Sequence, residues 1–201
     1  MKIKKIITNG LGENCYVASE GTDGVIVDPG GCADYILSVA EGMNIHAILL
    51  THGHFDHIMA ANDLREALGA KVYVSRLDAK MLTNPDLSLA TDFGFTHDNI
   101  TSDVLMDDGY VIAAGSMIFK AIATPGHSDG SMCFLCNNVL FSGDTLFKLS
   151  VGVHSPQDSD KITSSIKKLM RLPHDTHVFP GHNENTTIGY ERQNNPYAAI
   201  H

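Results

Sequence analysis

Residues 45–57 read Ile45-His46-Ala47-Ile48-Leu49-Leu50-Thr51-His52-Gly53-His54-Phe55-Asp56-His57: an apolar run stops, and three histidines and a carboxylate follow at once. A short apolar run bounded by turn-forming residues predicts a strand buried on both faces. Beyond the cluster, Met59, Leu64, Ala67 and Leu68 mark a helix, with Gly69 as its stop. Four groups able to bind metal therefore stand where a buried strand hands over to a helix, which is where α/β architectures place binding sites.

Upstream, Ile3 to Thr8, Asn14 to Ser19 and Gly24 to Asp28 read as strands, with turn signals at Gly10, Gly12 and Gly21 to Gly24. A helix is predicted over Ala33 to Met43 from the spacing of Ile36, Leu37 and Ala40. Downstream, Val72 to Val74 completes a strand-helix-strand unit, and residues 76–103 form the least periodic stretch of the chain, predicted as a partly irregular excursion. From Val104 the strand pattern returns in five further runs, ending with Val139 to Ser142. A helix over Asp160 to Arg171, with a Ser or Asp cap, and a last strand at Val178 and Phe179 follow. Asn14 to Gly30 and Ser131 to Asp144 echo each other as hairpins that each deliver an aspartate near a strand end. Two such halves, packed sheet on sheet with helices outside, make a layered α/β (α+β) fold.

The composition narrows the function. With 201 residues, 21.7 kDa, a formal charge of −9 and a pI near 5.5, the chain is expected to form one domain and to leave nucleic acid alone, since phosphate binding needs clustered Lys and Arg. No stretch approaches the ~20 apolar residues of a membrane span, and the N-terminus lacks the apolar core of a signal peptide, so a cytoplasmic protein is expected. Cys15, Cys32, Cys133 and Cys136 are read as reduced; positions 133 and 136 would face opposite sides of one strand and form no redox or zinc pair.

Three more runs repeat the opening pattern: Ala121 to His127, Val139 to Asp144 and His177 to His182 each pass from an apolar run through a small or turn-forming residue to a ligand-type side chain. With the first cluster they make seven groups: His52, His54, Asp56, His57, His127, Asp144 and His182. Five imidazoles and two carboxylates suffice for two divalent metal ions. Zinc suits this donor set best, and iron or manganese also fit; with no thiolate, a closed structural zinc site is disfavoured, which argues against a purely non-enzymatic metal-binding protein. His46, His97, His154, His174, His177 and His201 lack that context and are read as ordinary.

The signature H-x-H-x-D-H formed by His52, His54, Asp56 and His57, followed in order by His127, Asp144 and His182, resembles the metallo-β-lactamase superfamily, and within it the glyoxalase II-like, or hydroxyacylglutathione hydrolase-like, branch. The likeness runs from Asn14, Tyr16 and the Asp28-Pro29-Gly30 turn to Glu191-Arg192-Gln193-Asn194-Asn195-Pro196. It implies an αββα sandwich of two mixed β-sheets flanked by helices. It also implies one metal on His52, His54 and His127, a second on Asp56, His57 and His182, and Asp144 bridging them. Metal so held lowers the pKa of water from ~15.7 toward ~7 and makes hydroxide available to attack a carbonyl, with Asp56 orienting it as a catalytic residue. The expected activity is hydrolysis of an S-acylglutathione or related small thioester. The same fold also serves mononuclear iron persulfide dioxygenases, using positions matching His52, His127 and Asp144, and lactonases or other small-molecule hydrolases. Full-length glyoxalase II enzymes add a C-terminal helical domain that the reading of residues 1–201 as a single domain does not include. Related enzymes also tend to place Lys or Arg after the glycine matching Gly152, where this chain has Val153, His154 and Ser155.

Overall fold

The structure is a computed structural model and describes residues 1–8 and 11–198. The predicted turn signal at Gly10 and His201 lie outside the described residues.

The first sheet grows from local hairpins. Strand β1 (Lys2–Thr8) pairs antiparallel with β2 (Glu13–Glu20), and β2 pairs antiparallel with β3 (Asp23–Val27). Helix α1 (Ala33–Val39) leads to β4 (Asn44–Leu49), parallel to β3. Helices α2 (Phe55–Ile58) and α3 (Ala61–Leu68) lead to β5 (Lys71–Ser75), and the excursion returns as β6 (Val104–Met106); each adds in parallel.

The second sheet starts as an antiparallel meander of β7 (Val111–Ala114), β8 (Met117–Ala123), β9 (Met132–Cys136) and β10 (Val139–Gly143). A small ribbon of β11 (Leu146–Phe147) and β12 (Ser150–Val151) precedes α4 (Ser159–Leu169). Strand β13 (His177–Pro180) then pairs in parallel with β10; β14 (Thr186–Thr187), α5 (Ile188–Asn194) and a 3₁₀ turn over Pro196–Ala198 follow.

Alternation along the strands sorts side chains into three cores. Tyr16, Val25, Leu49, Phe119, Phe134 and Phe141 fill the space between the sheets. Ile26, Ile48 and Val72 face outward under α1 and α3, while Cys133, Leu140 and Val178 pack beneath α4 and α5. The layers are therefore helix, sheet, sheet, helix, as the resemblance implied. Burial of Ile162, Ile166 and Leu169 of α4, each worth about 2 kcal/mol of transfer free energy, holds its layer down. Cys133 and Cys136 lie in different cores, which confirms their opposed facing, and all four cysteines are unbridged.

The internal echo is structural too. Hairpins β2-β3 and β9-β10 each gain a parallel strand, β4 and β13, and Asp28 and Asp144 follow their second strands.

The helices depart from expectation most. The predicted helix Ala33 to Met43 ends at Val39, and Ala40 to Gly42 turn the chain toward β4. The helix after the histidines is broken at Met59 and Ala60, where the Ala60 N–H bonds the Pro29 carbonyl instead of continuing one ladder. Helix α4 has Asp158 at its N-cap without a side-chain cap bond, because that carboxylate is engaged by Ser155 and Lys161. Helix α5 was not anticipated from sequence; its Thr187 hydroxyl caps it by accepting from the Tyr190 N–H.

Candidate metal centre

All seven predicted site residues come together at the strand ends. The first group is His52, His54 and His127, whose ligand atoms lie within 4.8 Å of one another. His54 Nδ1 is 2.9 Å and His52 Nε2 is 3.2 Å from His127 Nε2. His127 Nε2 thus meets two further imidazole nitrogens, a donor set that suits a shared divalent cation. Asp56, His57 and His182 form the second group, with His182 Nε2 at 3.3 Å and His57 Nε2 at 3.7 Å from Asp56 Oδ2.

Asp144 stands between them. Its Oδ2 is 3.6 Å from both His127 Nε2 and His182 Nε2, and its Oδ1 is 3.5 Å from His57 Nε2. Asp144 Oδ1 and His57 Nε2 are buried without a hydrogen-bond partner. Orphaned buried polar atoms are costly and rare, and here they face each other across space that a cation fits.

The surroundings fix these side chains. His127 Nδ1 donates to the Val153 carbonyl at 2.7 Å, leaving Nε2 free as a ligand atom. Behind the second group, His57 Nδ1 lies 3.1 Å from Asp28 Oδ2. Asp28, in a left-handed conformation at φ 49°, also accepts from the Thr51 N–H at 2.7 Å and the Thr51 hydroxyl at 2.6 Å. The loop bearing His182 hangs from β2: the Tyr16 hydroxyl and the Asn14 amide both donate to the Pro180 carbonyl, at 2.6 and 2.9 Å. Gly181 leaves no room for a side chain, since a Cβ there would stand 2.2 Å from Asp144 Oδ1 and 2.7 Å from His57 Cε1.

Electrostatics divide the groups. Burial, then the neighbouring imidazoles, hold His52 well below the ordinary histidine range and His54 at about 3. Burial also disfavours a charged His57, but Asp144, Asp28 and Asp56 together outweigh it and raise its pKa. Burial pushes the Asp56 carboxyl up, yet the His182 hydrogen bond and the charges of His57 and His182 prevail and hold it at about 2.

The Metallo-beta-lactamase superfamily profile matches residues 8–182. The chain belongs to this superfamily. Among its relatives it is 31% identical to hydroxyacylglutathione hydrolase GloC of Haemophilus influenzae, covering 98% of each chain. Among solved structures it is similar to BLEG-1, a B3 metallo-beta-lactamase, at 33% identity and a TM-score of 0.93 over 99% of this chain and 100% of that one. It is also similar to TTHA1623 in a di-iron-bound form, at 34% identity and a TM-score of 0.84 over 96% and 99%. As a member of the superfamily, the chain is a metallo-hydrolase-like protein.

Four supporting residues escaped the sequence reading. Asp28 was visible as the partner of Asp144 in the echoed hairpins and in the Asp28-Pro29-Gly30 turn, but without a role in the site. Thr51 was passed over as the small residue before the ligands. Glu13 and Asp78 gave no signal, yet Glu13 is wholly buried with Oε1 3.8 Å from His57 Nδ1, and Asp78 is 1% exposed. Burial pushes the carboxyls of both upward from their usual range. The remaining described histidines stay outside the centre: His46 pairs with Asp23, His97 with Ser88 and His174 with Arg192, and His154 and His177 belong to neither ligand group.

Proposed function

We propose that the protein is a metal-dependent thioesterase of the glyoxalase II type, acting in the cytoplasm on an S-acylglutathione or a related small thioester. In this reading His52, His54 and His127 hold one divalent ion, Asp56, His57 and His182 hold a second, and Asp144 is shared. The observation that carries it is the placement of Asp144, with one oxygen equidistant from a nitrogen of each group and the other buried without a partner. Zinc is the proposed metal; the di-iron-bound relative keeps iron in play.

Metal in this centre supplies a hydroxide nucleophile near neutral pH and polarises the carbonyl under attack. The chain does the rest. Asp56, held as a carboxylate by its neighbours, is a hydrogen-bond acceptor that orients the nucleophile. A thiolate leaves with little acid assistance, because an ordinary thiol pKa is ~8.5. Thioester chemistry therefore fits a centre in which the nearby histidines are committed to other tasks. The name carried by GloC, whose length this chain matches, supports the substrate class. Four unbridged cysteines support a reducing compartment.

Likeness to BLEG-1 favours a second reading, hydrolysis of a β-lactam ring by the same groups. The deciding experiment measures turnover of S-D-lactoylglutathione and of a β-lactam by protein reconstituted separately with zinc and with iron, beside a chelator-treated control. Metal-dependent thioester turnover is expected. A protein that binds metal but leaves the thioester untouched would overturn the substrate assignment, and ring opening would select the second reading.

A further inference from the structure

Residues 76–103 carry the weakest pattern in the sequence, yet their third residue is among the most deeply buried charges in the molecule. Asp78 starts a 3₁₀ turn over Ala79–Thr83 and accepts three hydrogen bonds from distant chain. Its Oδ2 receives the Gly53 N–H at 3.3 Å and the Ser128 hydroxyl at 2.6 Å, and its Oδ1 receives the Gly130 N–H at 2.8 Å. Gly53 lies between His52 and His54, and Ser128 follows His127 directly. One carboxylate thus spans both loops that bring the first ligand group together.

The packing leaves Asp78 no alternative arrangement. A Cβ on Gly130 would stand 2.5 Å from Asp78 Oδ1, and one on Gly53 would stand 2.6 Å from the Met81 Cβ and 3.1 Å from the Asp78 carbonyl oxygen. Ser128 is itself aimed by Ser131, whose Oγ is 2.7 Å from its hydroxyl oxygen and accepts its N–H at 3.0 Å. Among the described residues no hydrogen bond or ion pair joins Asp78 to the seven ligand-type side chains, and His127 alone of them acts on it through charge. In the second group His57 and the Pro180–Asn183 loop are held by Asp28, Asn14 and Tyr16 instead.

We infer that Asp78 is a positioning residue for the first metal alone, a buried carboxylate clamp that sets the spacing between the His52–His54 loop and the His127 loop. This rests on the two-metal reading proposed above. Supporting groups behind metal ligands typically contribute 10- to 100-fold in metal affinity. Asp78 delivers that contribution through backbone N–H groups and a serine rather than through the imidazoles. Asp78→Asn keeps the volume but turns an NH₂ toward donors, so at least one of the three bonds is lost.

The test is zinc uptake by chelator-stripped full-length protein in competition with a chromophoric chelator, for the wild type, Asp78→Asn and Ser128→Ala, with thermal melting of each stripped protein alongside. In Asp78→Asn one of the two wild-type binding steps is expected to weaken about 10- to 100-fold while the other is unchanged. Ser128→Ala, which removes one donor and leaves the rest of the clamp, weakens the same step by less. Two unchanged steps in folded Asp78→Asn, or equal weakening of both, overturns the inference; if Asp78→Asn fails to fold, two unchanged steps in Ser128→Ala overturn it. Wild-type protein that takes up two zinc ions but hydrolyses no thioester loses the substrate reading and leaves Asp78 to be judged by the same titration. A wild type that takes up no zinc removes both.

Discussion

The two ligand groups are neighbours built from opposite chemistry. His52, His54 and His127 present imidazole to imidazole, whereas His57 is faced by Asp56, Asp144, Asp28 and, farther back, Glu13. The rings of His52 and His57 are only 4.2 Å apart between centroids, yet burial with like neighbours lowers one pKa, while carboxylates overcome burial and raise the other. Burial and like neighbours disfavour a proton on His52 and His54 in the first group, whereas the carboxylates around His57 favour one in the second. Their supports differ in the same way, since Asp78 grips backbone behind the first group and Asp28 reaches an imidazole of the second.

The largest effect is expected where the groups meet. Asp144→Asn removes a carboxylate with one oxygen 3.6 Å from a nitrogen of each group, and on the proposed assignment, in which it is a direct ligand, its loss should exceed the roughly 10- to 100-fold attached to supporting residues. Metal analysis of the purified variant should show fewer than two ions, with kcat/KM down more than about 100-fold on whichever substrate the wild type turns over. Full occupancy with full activity would remove Asp144 from the centre. Asp28→Asn comes next. Because Asp28 reaches His57 directly and stands behind His52 through Thr51, both zinc steps should weaken, by about 10- to 100-fold at the second group. A change confined to one step would show that the Thr51 relay carries nothing.

The opposed pKa shifts make the metal-free protein a separate test. His52 and His54 have folded values below the ~6.5 of the unfolded chain, so between about pH 3, the His54 value, and ~6.5 the unfolded state binds more protons and stability falls with acid. His57 has a raised folded value, so its contribution is complete below ~6.5 and fades as pH climbs through that value. Glu13 and Asp78, with raised folded values, bind more protons folded than unfolded above about pH 4.5 and oppose the fall in acid. In urea unfolding of chelator-stripped protein, the stability of His54→Ala relative to the wild type should therefore rise as pH falls from ~6.5 to ~4.5, and a constant difference would mean that the converging imidazoles do not shape the apoprotein.

What was legible in sequence was what repeats or alternates. The strand-to-ligand pattern recurred four times and marked all seven side chains, and alternation marked the strands, because both are local. Asp78 and Glu13 were illegible for the complementary reason. Each is a charged residue buried by chain distant in sequence, the Asp78 bonds reaching forward 50 and 52 residues to Ser128 and Gly130. Nothing in Ser75 to Met81 distinguishes a clamp from a surface turn until that chain arrives. The ends of α1 and the break between α2 and α3 were missed similarly, since a backbone bond from Ala60 to Pro29 has no signature in periodicity.

The smallest expected effect probes the suspension of the His182 loop. Tyr16 is buried between the sheets, its ring 5.4 Å from that of Phe141 and 5.6 Å from that of Phe179, and its hydroxyl bonds the Pro180 carbonyl. Tyr16→Phe keeps those ring contacts and leaves the same carbonyl its bond from Asn14, so no buried acceptor is orphaned. The cost should be that of one net hydrogen bond, about 1 kcal/mol in urea unfolding, with zinc uptake at the second group nearly unchanged. Should the variant instead lose the second zinc step as fully as Asp28→Asn does, one hydroxyl on β2 would be setting the position of His182. The contrast between a group clamped through backbone by one carboxylate and a group held by several shared bonds would then have to be withdrawn.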